Sequence, residues 1–259
     1  MKKRAYAILM AVVFAAGFAL IMYPSVSNYI NIKNTKAAVE SYNERLSDIT
    51  AEEKAAFFNK AHKYNDILSQ NIFAFEYNSV LNISDGMMGY ISIPKIGVVL
   101  PIQHGTDEKT LSFASGHIEG TSFPVGGQST HAAITGHRGL PSAKLFTDLD
   151  ELETGDKFSI RILDEILTYE VDKISVVKPE EVEQLKIVDG KDYVTLITCT
   201  PYGINTHRLL VRGVRTQSDE DVLSDAVRLN TFDTVIIIAL PLAAAVFAAA
   251  VLVKRRKKK

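Results

Sequence analysis

The sequence predicts a mainly β domain, closed or nearly closed into a barrel, with a helical segment before it and a transmembrane helix at each end of the chain. Short runs of β-branched and aromatic residues, separated by turns rich in Gly, Pro and Asp, indicate strands. Seven or more short strands with few helices are typical of a β-barrel. The predicted strands cover residues 89–93, 98–102, 131–135, 157–163, 167–177, 193–198 and 208–214.

Two uncharged apolar stretches predict the transmembrane helices. Residues 5–22 follow a basic start, and residues 235–253 precede six basic residues at 254–259. Each stretch approaches the roughly 20 residues that cross a bilayer as a helix. Because basic residues flank the outer end of each stretch, both termini are predicted to be cytoplasmic, with residues 23–233 outside. The alternatives are a cleaved signal peptide for the first stretch and a buried core helix for the second.

Helical spacing of apolar residues predicts helix over 31–68, between the first apolar stretch and the strands. The sequence Thr50-Ala51-Glu52-Glu53 is a capping sequence and predicts that a second helix begins there. Two short helical turns are predicted at 143–149 and 179–185.

The only cysteine of the chain, Cys199, ends one predicted strand, and Arg208 begins the next. Neighbouring strands of a hairpin lie about 5 Å apart, so an arginine there can point at the thiol. His137 follows the end of a third predicted strand. Cysteine, histidine and arginine at three strand ends favour covalent acyl transfer. The alternative is that Cys199 is a small buried apolar residue.

Each of these residue types suits one role in acyl transfer. The Cys199 thiolate would attack the carbonyl, and His137 would protonate the leaving amine and deprotonate the incoming one. Arg208 is permanently charged and carries a planar fork of donors, which suits an oxyanion or substrate positioning better than proton transfer. Other side chains in neighbouring runs compete for these roles: His104, His117, His131, His207, Arg138 and Arg212. Asp148 and Asp150 are expected on a solvated helix face instead of orienting the histidine.

The composition predicts no metal, cofactor or nucleic acid. A single cysteine excludes a zinc site with several thiolates, and the histidines lack a ligand spacing such as His-x-x-x-His. The sequence has no glycine-rich phosphate loop. Its basic run lies at the C-terminus beside the second apolar stretch, where it indicates the cytoplasmic membrane face.

Two long motifs resemble those of sortases, the cell-wall transpeptidases of Gram-positive bacteria. Residues 195–208 read TLITCTPYGINTHR and resemble the cysteine-to-arginine signature, while residues 135–149 read TGHRGLPSAKLFTDL and are similar to the histidine motif of class C, the pilus-building sortases. The resemblance implies an eight-stranded barrel and the catalytic residues His137, Cys199 and Arg208. It also implies cleavage of a C-terminal Leu-Pro-x-Thr-Gly sorting signal between Thr and Gly, through a thioester on the cysteine.

In class C sortases, the amine that resolves the thioester is a lysine of another pilin subunit. The implied partners are therefore pilin or surface-protein precursors with a sorting signal and an amine acceptor, which is a pilin lysine or a cell-wall precursor. Class C members resemble this chain in having a second, C-terminal membrane anchor. They also carry a lid with an Asp-Pro-aromatic anchor, whereas residues 65–85 contain no Asp-Pro pair. Phe73 or Phe75 would have to replace that anchor, or else pack on the barrel.

Three alternatives to pilus polymerisation remain open at this point. A thiol peptidase would use the same acyl-enzyme and release the acyl group to water, a cell-wall-anchoring sortase would use another amine, and an adhesion module would not react at all. The sequence identifies neither the pilin nor the attacking lysine. The predicted organisation is a membrane anchor at 1–30, a helical stalk with the lid-equivalent segment at 31–85, the catalytic barrel at 86–218, a linker at 219–234 and a transmembrane helix with a basic tail at 235–259.

Overall fold

The computed structural model describes residues 2–70, 77–84 and 86–217. The predicted linker, the predicted C-terminal transmembrane helix and the two phenylalanines of the lid-equivalent segment, Phe73 and Phe75, lie outside these residues. The described part of the chain contains two long N-terminal helices and a closed β-barrel, which confirms the mainly β fold class.

Eight strands form the barrel in the spatial order β1-β2-β3-β4-β7-β8-β6-β5. They are β1 (Met87–Ile93), β2 (Val98–His104), β3 (Ser115–His117), β4 (Thr130–Thr135), β5 (Lys157–Ile162), β6 (Glu165–Val177), β7 (Asp192–Thr200) and β8 (His207–Arg215). Seven of them coincide with the predicted strands to within a few residues. The strand β3 was not predicted, because it is three residues long and has no alternation of apolar residues. It forms because it pairs with β2 and β4.

Alternate residues of the strands divide between the barrel interior and its outer face. Leu196 of β7 and both Leu209 and Val211 of β8 belong to the main core, whereas Ile197 of β7 and Leu210 of β8 belong to a second, smaller apolar cluster. Side chains of successive strand residues point to opposite faces. Cys199 lies two residues from Ile197 and Arg208 lies two residues from Leu210, so both side chains point to the outer face with this second cluster.

Two helices precede the barrel: α1 (Lys2–Asp48) and α2 (Ala51–Ser69). Thr50 forms the predicted capping box, because its side chain accepts from the Glu53 amide and the Glu53 side chain accepts from the Thr50 amide. The helix that was predicted to begin near residue 31 is instead continuous with the first apolar stretch. By length and composition, α1 is the one helix in the described residues that fits a membrane span.

Both helices pack on the barrel through buried polar groups. The Tyr42 hydroxyl of α1 donates to the Met88 carbonyl and accepts from the Leu163 amide, each at 2.8 Å. The Asn65 side chain of α2 donates to the Phe123 carbonyl at 3.0 Å and accepts from the Phe123 amide at 2.7 Å. A buried polar group that lost its hydrogen-bond partner would lower the free energy of unfolding by about 1–3 kcal/mol. These bonds therefore fix the two helices against the barrel.

The two predicted helical turns are only partly present. Residues 145–148 form turns, and a 3₁₀ turn follows at Leu149–Glu151, so the helical turn predicted at 143–149 is displaced towards its C-terminal end. Leu145 has a φ of 42°, which no right-handed helix tolerates. The Phe146 amide donates to the His137 carbonyl at 3.1 Å, and its ring is fully buried, so tertiary packing shapes this loop. The other predicted turn is reduced to a 3₁₀ turn at Glu183–Leu185.

Candidate active site

Cys199 and Arg208 lie directly opposite each other on the β7–β8 hairpin. The two strands pair antiparallel, with Cys199 in register with Arg208 and Thr200 with His207. Residues directly opposite in such a pair have Cα atoms about 4.5–5.5 Å apart. The Cys199 side chain is partly buried at the end of β7. The hairpin therefore holds the thiol and the guanidinium on one face of the barrel, as the sequence predicts.

His137 reaches the same place through a parallel strand pair. β4 runs parallel to β7, with Thr135 in register with Ile197. The pairing continues past the last paired residue, because the Gly136 amide donates to the Ile197 carbonyl at 3.0 Å and the Thr198 hydroxyl donates to the Gly136 carbonyl at 2.8 Å. Gly136 is therefore level with Thr198, and one residue further along the two strands His137 is level with Cys199. The three predicted site residues thus meet at one rim of the barrel, which we call the β4–β7–β8 rim.

Close packing explains why a glycine precedes the histidine. A Cβ atom at Gly136 would lie 2.8 Å from the ring of Phe146, closer than real contacts allow. Phe146 is fully buried and cannot move away. Any side chain at this position would displace the Phe146 ring or the backbone that carries His137.

The Arg208 side chain uses part of its guanidinium to bind backbone carbonyls beside it in the chain. Its Nη1 donates to the Asn205 carbonyl at 3.3 Å and to the His207 carbonyl at 3.1 Å. Within the described part of the chain, its other two guanidinium nitrogens make no hydrogen bond. A guanidinium carries five N–H donors, so donors remain for a negatively charged oxygen beside Cys199.

Arg138, which the sequence indicates only as a competitor of Arg208, ties the histidine and cysteine segments together. Its Nη1 donates to the Thr200 hydroxyl at 3.4 Å, next to Cys199, and its Nη2 forms an ion pair with Asp150. The guanidinium lies 5.8 Å from the centre of the Tyr202 ring. The Arg138 side chain is only 9% exposed, and its buried Nε has no hydrogen-bond partner. Its position directly after His137 was the only sequence signal.

Asp148 and Asp150 were predicted to lie on a solvated helix face, and in the structure both also form ion pairs in the loop after His137. Asp150 pairs with Arg138, and Asp148 pairs with Lys144. Asp150 lies in the 3₁₀ turn Leu149–Glu151, and both carboxylates stabilise the loop after His137.

Three of the competing histidines have structural partners. His117 is fully buried, its Nε2 lies 2.8 Å from the Ser122 carbonyl and its Nδ1 lies 3.0 Å from the Tyr77 hydroxyl; burial lowers its pKa to about 4. His131 Nδ1 lies 2.9 Å from the Lys186 carbonyl and its Nε2 lies 2.7 Å from the Thr195 hydroxyl. Burial also lowers the pKa of His131, although the Lys186 bond opposes this. His104 contacts the Gly86 and Val80 carbonyls. Burial therefore keeps the rings of His117 and His131 neutral at neutral pH.

The Arg212 side chain makes its contacts away from the rim. Its Nε and Nη2 bind both carboxylate oxygens of Asp172 at 3.0 and 2.7 Å, and its guanidinium lies 4.1 Å from the centre of the Tyr193 ring. The side-chain hydrogen bond to Asp172 raises the pKa of Arg212. Along β8, Arg212 is paired with Thr195 and not with Cys199.

An apolar cluster lies on the outer face of the barrel, on the strands that carry the rim. It contains Ala133, Val177, Ile197 and Leu210, with Ile118 and Leu185 packed against it. Ile118 and Leu185 also line a cavity of about 750 Å³, together with Glu119, His131 and Lys186. The barrel therefore has concave space with apolar and polar walls on the strand face that ends at Cys199.

Comparison with known proteins gives one consistent family. The Sortase domain model matches residues 91–216. Sortase C1 from Streptococcus agalactiae is 48% identical, with a TM-score of 0.68 over 71% of this chain and 100% of that one. Clostridium perfringens sortase C, solved with the C-terminal cell wall sorting motif, is 46% identical, with a TM-score of 0.66 over 70% of this chain and 99% of that one.

A more distant relative is sortase A from the same Streptococcus species, at 32% identity over 149 residues. That match covers 56% of this chain and 60% of the relative, so the chain spans less than two thirds of it. The solved class C neighbours, in contrast, are covered almost completely. The fold, the matched domain and these neighbours show that the chain belongs to the sortase family of cysteine transpeptidases, with class C sortases as its solved neighbours.

Proposed function

We propose that this protein is a pilus-building transpeptidase that cleaves a Leu-Pro-x-Thr-Gly-type sorting signal through a thioester on Cys199. The acyl group then passes to an amine, which we propose is a lysine of a second pilin subunit. The observation that carries the proposal is the register of Cys199 with Arg208, beside the strand end that bears His137. A similar sortase C has been solved with its sorting motif, which supports the same class of substrate.

The first half-reaction makes the thioester. The Cys199 thiolate attacks the threonine carbonyl carbon, and the carbonyl oxygen becomes an oxyanion that Arg208 stabilises. The carbon–nitrogen bond then breaks, and the departing glycine amine takes a proton from the His137 imidazolium. Cysteine suits this step because a thiolate is a strong nucleophile.

The second half-reaction restores the enzyme. Neutral His137 takes a proton from the incoming amine, whose nitrogen attacks the thioester carbonyl. The carbon–sulfur bond breaks, the thiolate leaves, and an amide joins the two proteins. Arg208 keeps its charge throughout, because a guanidinium is not deprotonated in proteins.

Membrane anchoring fits this role. We propose that α1 crosses the membrane, that the barrel lies on the outer face and that both termini are cytoplasmic, since basic residues flank the outer ends of both apolar stretches. A peptidase that releases the acyl group to water, and a sortase that uses a cell-wall amine, share the same first half-reaction. Only the acceptor separates them from the proposed polymerase.

The proposed transfer predicts an amide product that depends on both Cys199 and an amine. Incubation with a Leu-Pro-x-Thr-Gly peptide and a lysine-containing acceptor peptide should give the joined peptide, measured by chromatography and mass spectrometry. Cys199→Ala should give none while keeping the wild-type circular dichroism, since the thiol lies at a strand end. Free acid as the sole product, whatever the acceptor concentration, would contradict the transpeptidase proposal.

The proposed role of Arg208 predicts a large loss of turnover in Arg208→Lys, because lysine cannot reproduce the planar fork. Removal of one oxyanion donor costs on the order of 100- to 1000-fold in turnover. Arg212→Lys is the matched control on the same strand, because it disturbs the Asp172 pair and should leave turnover nearly unchanged. Similar turnover in Arg208→Lys and the wild type would rule out the oxyanion role.

The contacts of Arg138 predict that it acts by positioning the two segments that carry His137 and Cys199. Arg138→Met should lower kcat by up to about 100-fold while KM changes less, because small misplacements of reacting groups are that costly. Lys144→Met is the control, since it removes an ion pair from the same loop. Steady-state kinetics would be measured below the melting temperature of each variant. An unchanged kcat in Arg138→Met would refute the positioning role.

A further inference from the structure

The α1 helix fixes which end of the barrel lies nearer the membrane. Far along the helix, Tyr42 bonds to Met88 and Leu163, and Leu163 follows the end of β5 at the end of the barrel away from the site. Fourteen residues earlier, about 21 Å along a helix, the Asn28 side chain accepts from the Lys144 amide at 3.0 Å. Lys144 lies in the loop after His137. The helix therefore runs from the β4–β7–β8 rim to the opposite end of the barrel.

The charge pattern of α1 sets where the membrane ends. After the basic start, the first charged residue is Lys33, so residues 5–32 are uncharged. About 20 residues cross the hydrocarbon core, which takes the helix to the neighbourhood of Pro24. The next residues belong to the headgroup region. Tyr23 and Tyr29 are 53% and 47% exposed there, and tyrosine is enriched at membrane interfaces.

The β4–β7–β8 rim adjoins this part of the helix. Pro24 and Asn28 line a cavity of about 200 Å³ together with Gly139, Leu140 and Tyr202. Gly139 follows His137 by two residues, and Tyr202 follows Cys199 by three. Residues of the loops on both sides of the proposed site therefore border one cavity with α1, near the point where the helix leaves the hydrocarbon core.

The loop between β7 and β8 carries exposed apolar groups on this side. All of its residues, 201–206, are exposed, and Tyr202 and Ile204 are 60% and 66% exposed. An aromatic ring with a polar tip and a bare aliphatic side chain are the groups that favour the boundary between headgroups and acyl chains. Tyr202 borders the same cavity as Pro24 and Asn28, so this loop lies beside the part of α1 that enters the membrane.

We propose that the 201–206 loop docks on the lipid surface, with Ile204 and Tyr202 in the interfacial region, so that the β4–β7–β8 rim works at the bilayer surface. The inference rests on the proposed anchoring by α1 and goes beyond it, because an anchor alone leaves the orientation of the barrel open. It follows that the enzyme acts on peptide bonds presented close to the membrane, and that a substrate peptide enters along the lipid surface.

The chain contains no tryptophan, so one introduced tryptophan reports on one position. The full-length protein would be reconstituted into phosphatidylcholine vesicles as Ile204→Trp and, separately, as Tyr202→Trp. The control is Val188→Trp, an aliphatic position that is 43% exposed in the loop before β7, beside the end of the barrel opposite the rim. Fluorescence would be recorded with lipids that carry a nitroxide quencher near the headgroup, and flotation of the vesicles would be measured in parallel.

We expect blue-shifted emission and strong quenching of Ile204→Trp and Tyr202→Trp, and neither for Val188→Trp, since interfacial groups enter lipid by about 5–10 Å. If the protein floats with the vesicles but all three variants show the same emission maximum and the same degree of quenching, the docking is wrong while the anchoring stands. A blue shift of Ile204→Trp only on addition of a sorting peptide assigns the loop to substrate and overturns the docking. Loss of flotation overturns the anchoring and the docking with it.

Discussion

The central strand β7 is the constraint on which the proposed site depends, because its backbone pairs with β4 on one side and β8 on the other. The parallel pairing with β4 brings the segment of His137 alongside, and the antiparallel pairing with β8 sets Arg208 opposite Cys199. A slip of one residue in either pairing would move the affected side chain to the other face of the barrel. The hydrogen bonds from Gly136 and Thr198 extend the β4 pairing to the residue before His137.

Polar side chains around the rim then divide into two groups. Arg138 pairs with Asp150 in the loop after His137 and also donates to Thr200, next to Cys199. The backbone amide of Lys144 ties the same loop to Asn28 of α1. Arg212 and His131 stabilise the same outer face further from the rim, through Asp172 and Lys186. Arg208 alone among the arginines of β7 and β8 is in register with the thiol. The proposed chemistry and the proposed contact with lipid therefore depend on the same short loops.

Strand positions could be predicted from sequence because each long strand has a clear apolar run between turn residues. The capping box at Thr50 was also predictable, since its residues are adjacent in the chain. The strand β3 could not be predicted, because its three residues are extended only through their pairing with β2 and β4. The helical turn predicted at 143–149 is displaced to Leu149–Glu151 for a similar reason, because the burial of Phe146 overrides local preference. Of the site, the motif residues were predictable, whereas the role of Arg138 depends on Thr200, which is 62 residues away.

The central claim is that Cys199 forms a covalent acyl-enzyme. It is tested most directly by mixing the protein with a Leu-Pro-x-Thr-Gly peptide without an acceptor amine, quenching in acid and digesting for mass spectrometry. We predict that the fragment containing Cys199 gains the mass of the peptide up to its threonine, and that hydroxylamine removes this added mass, as expected of a thioester. Turnover of the peptide with no adduct on Cys199, or with an adduct on another residue, would contradict the account.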